Sequence, residues 1–175
     1  YAYDPDTRRL TLAVDQQQLL GQQPGDWGFG KIHCRLEQFD DGFLYWGTYW
    51  GQAPPPDWAQ GSELYGVVVR ADPASGQGEV LGALRRPFVM PAAVADTRRG
   101  LLYALPCDRR WEGQGFAVFD LARGQTIYYG HGDQERSRRF VFVDEWAGAA
   151  YFTVQPDPAS PDLWLARYDA AAAIY

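Results

Sequence analysis

Lysine, grouped basic charge and long apolar runs are what this 175-residue chain lacks. Lys31 is its one lysine, and its arginines are spread along the sequence, while 22 acidic residues bring the net charge to −6. Nucleic-acid binding depends on grouped Lys and Arg, so no nucleic-acid partner is expected. A membrane helix needs about 20 consecutive apolar residues. No run in the chain approaches that length, so no membrane-spanning segment is expected either.

Cysteine, histidine and catalytic signatures are scarce as well. Cys34 and Cys107 form no CxxC or CxxCH motif, and they are expected as small apolar strand residues, with a single bridge left open. The sequence holds no GxSxG elbow, P-loop, GxGxxG, HExxH or EF-hand loop. Its two histidines, His33 and His131, fall short of the three or more protein ligands that divalent metals generally take. No metal site is therefore predicted, and no cofactor is identified.

A repeated segment organises what is present. The two better copies are Asp-Thr-Arg-Arg-Gly-Leu-Leu-Tyr-Ala-Leu at 96–105 and Asp-Glu-Trp-Ala-Gly-Ala-Ala-Tyr-Phe-Thr at 144–153. A looser copy is Asp-Gly-Phe-Leu-Tyr-Trp-Gly-Thr at 41–48. In each copy an acidic turn ends in glycine, and two apolar residues then lead to a tyrosine. We predict positive φ at Gly100 and Gly148, because such turns favour the left-handed conformation that glycine adopts at no steric cost.

A hairpin pattern interleaves with this repeat. Four segments have the order strand, turn, strand, and each carries an aspartate where its first strand ends: Asp4, Asp72, Asp120 and Asp169. An aspartate there accepts hydrogen bonds from the backbone two residues on, so it favours a turn. Because the residue recurs once per repeat, we interpret it as structural rather than catalytic.

Each period therefore holds four short strands, and no helical periodicity persists. The first strands are predicted at Ile32 to Phe39, Ala92 to Ala95 and Phe140 to Val143. The second strands are predicted at Phe43 to Tyr49, Leu101 to Leu105 and Ala149 to Val154. The third and fourth strands form the aspartate hairpin. Four antiparallel strands repeated about every 40–50 residues are typical of β-propeller blades, so the predicted fold is all-β.

Several of these motifs resemble bacterial β-propeller repeat proteins, the relatives of the WD-repeat, YVTN and quinoprotein-like propellers. They are Lys-Ile-His at 31–33, residues 41–48, Tyr-Asp-Pro at 3–5 and Arg-Gly-Leu-Leu-Tyr at 99–103. The resemblance covers nearly the whole chain and implies a propeller segment of four-stranded antiparallel blades. We expect this segment to be part of a seven-bladed ring, which is twice three and a half blades.

The repeats divide one propeller domain into blades. Residues 1–20 are assigned to the end of a first blade, 21–30 to a Gly/Gln/Pro-rich insert, and 31–84, 85–132 and 133–175 to three further blades. This gives about three and a half blades, whereas closed propellers have about 4–8. Either the chain is part of a longer protein, which we favour, or two copies complete one ring.

His33 is the single candidate for catalysis. It lies on a predicted innermost strand, and such strands line the central channel of a propeller. A histidine there binds metals or acts as a base near neutral pH; the alternative is a buried structural histidine. The adjacent Cys34 cannot join it in one site, because neighbouring strand residues point to opposite faces.

Two loop clusters are candidates for binding. Tyr49, Trp50 and Trp58 surround a proline-rich loop beside Trp46, and loop aromatics stack on sugars or contact a protein partner. The alternative for Trp46 is packing between blades. The second cluster, Arg136, Arg138 and Arg139, enters the last blade and would give a basic rim suited to carboxylate or phosphate.

The sequence favours a non-catalytic binding or scaffolding domain of a larger bacterial protein or assembly. Its expected partner is a protein or the missing blades of a longer chain, with a carbohydrate as the other ligand. A periplasmic or extracellular location is favoured. The alternative is a propeller-type enzyme, either a polysaccharide lyase, a lactonase or a quinoprotein-like dehydrogenase, using His33 and the arginine rim.

Overall fold

The protein is described from a computed structural model. It describes residues 1–20, 32, 36–48, 66–83, 89–107, 115–130, 136–155, 157, 159 and 161–171. For residues 37, 89–91, 107, 136–140 and 155 the description extends to the backbone alone.

These residues form a hairpin followed by three antiparallel sheets. The hairpin pairs β1 (Ala2–Asp4) with β2 (Arg9–Thr11). The first sheet holds β3 (Glu37–Gln38), β4 (Leu44–Gly47), β5 (Val67–Ala71) and β6 (Gly78–Ala83). The middle sheet holds β7 (Val89–Asp96), β8 (Leu101–Cys107), β9 (Phe116–Asp120) and β10 (Gln125–Gly130). The last sheet holds β11 (Arg136–Asp144), β12 (Ala149–Gln155) and β13 (Trp164–Asp169).

In every sheet each strand pairs with the next one along the chain. The repeat fixes the register, since Asp96 lies opposite Leu101 and Asp144 lies opposite Ala149 at the same point of two successive sheets. Gly100 and Gly148 have φ of +64° and +68°, which confirms the prediction of positive φ.

Two local predictions differ from the structure. The strand predicted over Ile32 to Phe39 is shorter: β3 covers Glu37–Gln38, while Ile32 and Leu36 are exposed and outside any strand, and residues 33–35 lie outside the described residues. One helical turn, α1 (Gln16–Leu19), was not predicted; the Asp15 carboxylate starts it by accepting hydrogen bonds from the backbone of Gln17 and Gln18.

Alternating side chains give each sheet two apolar faces. We call the face towards the next sheet the front and the face towards the preceding sheet the back. Between the first and middle sheets, Tyr45 and Val68 on the front of the first sheet pack against the back of the middle sheet. That back is rich in alanine and consists of Ala93, Ala95, Leu102, Ala104, Ala117 and Phe119.

The contact between the middle and last sheets repeats this arrangement. The middle front supplies Val94, Tyr103, Leu105, Phe116 and Val118, and the last back supplies Val141, Val143, Ala150, Phe152 and Tyr168. The rings of Phe116 and Phe152 stack across the interface with centroids 4.3 Å apart.

The back of the first sheet is covered differently. Trp46, Val67, Val69 and Ala71 pack against Val14, Leu19 and Leu20 from the α1 segment. The Trp46 indole donates a hydrogen bond of 2.9 Å to Gln16.

Sequential antiparallel sheets of three or four strands that pack face to face along the chain are the arrangement of propeller blades. The all-β prediction of a propeller-type segment is therefore confirmed, while the number of blades in a complete ring stays a prediction.

Candidate functional site

One edge of the stack carries the tight turns of every sheet, and we call it the turn edge. In the middle sheet the turn before Gly100 and the turn after Asp120 are joined by a hydrogen bond from Leu121 N–H to the Gly100 carbonyl, 3.0 Å. In the last sheet Ala170 N–H donates likewise to the Gly148 carbonyl, 2.9 Å. These bonds hold two loops per sheet at a common level and make the edge a fixed surface.

Asp96 is the most enclosed polar residue of the turn edge, with no exposed surface. Its carboxylate accepts hydrogen bonds of 3.1 Å from the backbone of Arg98 and Arg99 and from the Arg99 guanidinium. The Tyr103 hydroxyl donates to it at 3.5 Å. Burial raises the pKa of Tyr103 well above its usual value, and the negative charge of Asp96 raises this pKa further.

A polar clasp joins the turns of the middle and last sheets. The Glu145 carboxylate accepts from the Thr97 backbone at 2.8 Å and from the Thr97 hydroxyl at 2.7 Å. Arg99 donates back to the Glu145 carbonyl at 2.7 Å. The clasp fixes the two sheets relative to each other through residues that are 48 positions apart.

Next to the clasp, Trp146 projects from the last sheet's turn with 82% of its surface exposed. The Arg98 guanidinium carbon lies 3.5 Å from the centre of its ring, in a cation–π contact. Arg98 and Trp146 occupy the same position of successive turns, so the repeat places them side by side. No turn hydrogen bond requires an aromatic side chain there, since Trp146 contributes its backbone N–H to Asp144 as any residue would.

A shallow depression of about 300 Å³ lies at the turn edge of the first sheet, lined by Phe43, Arg70, Asp72, Ser75, Gln77, Gly78 and Glu79. Two of its three charges form an ion pair, Arg70 with Glu79, and the Arg70 guanidinium carbon also lies 4.9 Å from the Phe43 ring centre. Asp72 accepts from the Ser75 hydroxyl at 2.7 Å, and this bond lowers the pKa of Asp72. The depression therefore offers a ligand little charge that is not already paired.

Most of the site residues predicted from sequence fall outside the described residues, so their arrangement stays a prediction. His33, Tyr49, Trp50 and Trp58 lie outside the described residues, as does His131. Trp46 is only 2% exposed and packs against the α1 segment, so it belongs to the core and not to a binding loop.

The predicted arginine rim is described through its backbone alone. Arg136 begins β11, and Asp144 at its other end belongs to the turn edge. Arg136 therefore lies at the opposite end of the sheet from Trp146, and the rim stays a prediction.

Sequence analysis missed the Arg98–Trp146 pair. The signal that would have found it is a bulky aromatic residue inside a turn whose other positions serve hydrogen bonding. Trp146 could be interpreted as exposed only after the register of two repeats was fixed.

Within the described ranges, no group of three or more His, Cys, Asp or Glu side chains is arranged to hold a metal ion. Among the helical residues that the structure describes, no helix is long and apolar enough to cross a membrane.

No protein-family description and no curated protein matches the chain. Among solved structures, it is similar to a mutant puromycin hydrolase complexed with a ligand designated PGG. Identity is 16% and the TM-score is 0.52, with 79% of this chain and 19% of that chain covered. The chain thus spans about a fifth of that protein, and the likeness concerns the fold alone. A nidogen–laminin complex matches with 14% identity and a TM-score of 0.49, covering 80% of this chain and 44% of that chain.

Proposed function

We propose that the chain is a non-catalytic binding or scaffolding domain of propeller type that contacts a protein partner through the turn edge. The observation that carries the proposal is the exposed Trp146 ring with the Arg98 guanidinium stacked on it. Trp and Arg are the residues most enriched at the energetic centres of protein interfaces.

The surroundings of the pair support a binding role. The clasp from Glu145 to Thr97 and the ion pair of Arg99 with Asp96 fix the backbone on both sides. A pair that is held before binding loses less conformational entropy when a partner arrives, so more of its contact energy appears as affinity.

The Arg98–Trp146 contact also indicates the chemistry of the partner. A guanidinium in a cation–π contact keeps its charge and its N–H donors, and Arg recognises carboxylates through such donors. No described carboxylate pairs with Arg98. The partner surface we propose is therefore an apolar or aromatic group flanked by an acidic side chain.

Polar groups of the turn edge support the non-catalytic part of the proposal. Asp96, Asp120 and Asp144 all accept hydrogen bonds from turn backbone. A general acid or base must reach the proton it transfers on a substrate, and these carboxylates are occupied in holding the fold.

The test compares Trp146→Ala with Arg123→Ala, a control on the same edge whose side chain is 68% exposed. Each immobilised protein is exposed to a native extract of the producing organism, and the retained proteins are quantified by mass spectrometry. We expect a partner that binds the wild type and the Arg123 variant saturably and binds the Trp146 variant at least roughly tenfold more weakly. Equal retention by all three proteins would contradict the proposal.

The enzyme alternative rests on His33 and the Arg136, Arg138 and Arg139 rim, which remain predictions. Elemental analysis after dialysis distinguishes the binding domain from the enzyme if a metal ion is retained. One retained equivalent of metal per chain would argue against a plain scaffold, because the proposal assigns no role to a metal.

A further inference from the structure

The first turn of each sheet carries an exposed side chain at a corresponding position on the turn edge. That position lies two residues before the glycine that ends the turn with positive φ. It is occupied by Asp40 in the first sheet, Arg98 in the middle sheet and Trp146 in the last sheet, and all three are exposed. The first sheet's turn is one residue shorter than the other two. Successive sheets therefore present an acidic, a basic and an aromatic group in one row, which we call the tip row.

The three turns lie side by side because the sheets that carry them pack together. Phe39 and Phe43, on either side of the first sheet's turn, pack against the core between the first and middle sheets. The clasp from Glu145 to Thr97 joins the turns of the middle and last sheets. Sheets packed face to face lie about 10 Å apart, so the turns of neighbouring sheets follow one another at about that interval.

The charged side chains of the tip row are available to a ligand. Among the residues that the structure describes, Asp40 has no side-chain hydrogen bond or ion pair. Its neighbour Asp41 holds the turn instead, by accepting hydrogen bonds of 2.9 Å from the Phe43 backbone and 2.7 Å from the Tyr45 hydroxyl. Arg98 lies on the Trp146 ring and has no partner among the described carboxylates. The two charges can therefore each pair with a group of opposite sign.

A row that combines both signs of charge with an aromatic ring fits a peptide. A nucleic acid offers anionic phosphates along its length, and Asp40 would repel them. A neutral sugar would leave both charges of the row unpaired. A peptide, in contrast, carries acidic, basic and apolar side chains on one backbone.

The interval between neighbouring turns indicates the conformation of the peptide. A polyproline II helix has 3 residues per turn and rises about 3.1 Å per residue. Side chains three positions apart therefore lie on the same side, about 9 Å from each other, which is close to the spacing of the sheets. In a β-strand, side chains three positions apart point to opposite faces, and an α-helix needs about seven residues to cover the same distance.

We infer, building on the turn-edge interface proposed above, that the tip row binds a peptide segment in the polyproline II conformation. An acidic residue of the peptide pairs with Arg98, and a proline or other apolar residue just beyond it packs on Trp146. A Lys or Arg three positions to the other side of the acidic residue pairs with Asp40. The peptide thus crosses the turns of successive sheets. Because such a segment is extended before it binds, it loses little conformational entropy on binding.

The first experiment selects binders from a display library of random linear peptides, in parallel on the wild type and on Trp146→Ala. We expect the peptides enriched on the wild type alone to share an acidic and a basic residue three positions apart. A shared spacing of two or four positions would indicate a β-strand, and one of about seven would indicate an α-helix. Either spacing would overturn the polyproline II assignment.

The second experiment measures the affinity of the most enriched peptide by fluorescence anisotropy. Asp40→Lys and Trp146→Ala should each bind it at least roughly tenfold more weakly than the wild type. Asp157→Lys is the control with the same change of charge, because Asp157 is exposed and follows the end of β12 that is remote from the turn edge. This control should bind as the wild type does, and circular dichroism verifies that every variant folds.

A reversal of charge provides the most specific readout. Replacing the basic residue of the peptide by Glu should weaken its binding to the wild type and restore its binding to Asp40→Lys. Two further results would overturn the inference: a selection in which no peptide depends on Trp146, or a peptide that needs Trp146 yet binds Asp40→Lys as tightly as the wild type. A Trp146-dependent partner retained from the extract would still support the turn-edge interface in both cases, so the two proposals fail separately.

Discussion

At the scale of single residues, Asp96 shows how one turn gains a second role from its neighbours. Asp144 begins the equivalent turn and accepts the same kind of backbone hydrogen bonds from Trp146 and Ala147. Asp96 adds an ion pair with Arg99 and is fully buried, because the last sheet lies over it. The same residue type therefore contributes differently in two copies of one repeat.

We predict that Asp96→Ala lowers the free energy of unfolding by about 2–4 kcal/mol, because it leaves buried donors and Arg99 without their acceptor. Asp144→Ala should cost only about 1 kcal/mol, the value of a lost turn-capping bond. Urea unfolding of both variants measures the difference. If both variants lose the same free energy of unfolding, the burial of Asp96 and its ion pair contribute nothing to stability.

Tyr103 predicts how stability depends on alkaline pH. Its hydroxyl ionises near pH 10 in an unfolded chain, about its ordinary pKa, whereas burial and then the charge of Asp96 raise its pKa in the fold. The folded state therefore keeps a proton that the unfolded state releases. This contribution to stability is complete below about pH 10 and falls as pH rises above it.

The expected slope from this one group is about −1.4 kcal/mol per pH unit above pH 10. Tyr103→Phe cannot ionise and should flatten the decline, measured by urea unfolding between roughly pH 8 and pH 11. The pKa values of Tyr45 and Tyr168 are also raised by burial, so some slope should persist in the variant. An unchanged slope would remove Tyr103 from the explanation.

At the scale of elements, the equivalent turns that end in Gly100 and Gly148 differ in the atoms that surround the glycine. A methyl group added to Gly100 would meet no atom within 4 Å, but one added to Gly148 would lie 2.5 Å from an Arg99 nitrogen. Arg99 cannot easily move away, since Asp96 and the Glu145 carbonyl hold its guanidinium.

Gly100→Ala should therefore cost only the left-handed backbone strain, about 1–2 kcal/mol. Gly148→Ala should cost the same strain plus the displacement of Arg99, a further loss of about 1 kcal/mol or more. Thermal and urea unfolding of the pair provide the comparison. If Gly148→Ala is no worse than Gly100→Ala, the clasp yields to the methyl group at no cost.

Most elements could be predicted because their causes are local. Turn aspartates and glycines predict the joins between strands, and nearly continuous apolar runs predict β7 to β9, which are buried on both faces. The strand expected over Ile32 to Phe39 is confirmed only at Glu37–Gln38; its apolar residues at 32 and 36 are exposed, and β3 pairs through two residues. The α1 turn was missed because a four-residue helix has no periodicity, and its stability comes from packing of Leu19 against the first sheet.

At the scale of the whole molecule, the 48-residue period correctly predicted a stack of repeated sheets. It could not predict the contacts between them. Two of these contacts are the hydrogen bond from Thr97 to Glu145 and the cation–π contact of Arg98 with Trp146. Both depend on how two sheets align, which local sequence does not encode. The chemistry of their side chains makes His33, Trp50 and Arg136 candidates from sequence. The Arg98–Trp146 pair is a candidate because the Trp146 side chain is exposed, which only the structure shows.

The central claim is that the sheets stack front to back in register, and a double-mutant cycle at Phe116 and Phe152 tests it most directly. Their rings stack across the interface, on the middle front and the last back. The matched control pairs Phe116 with Tyr151, which is next to Phe152 in sequence but lies on the opposite face, beside Phe142.

With leucine substitutions, we predict a coupling energy of about 0.5–1.5 kcal/mol for Phe116 and Phe152. The control pair should show coupling below about 0.5 kcal/mol. Absent coupling between Phe116 and Phe152, or equal coupling in both pairs, would contradict front-to-back stacking of the middle and last sheets.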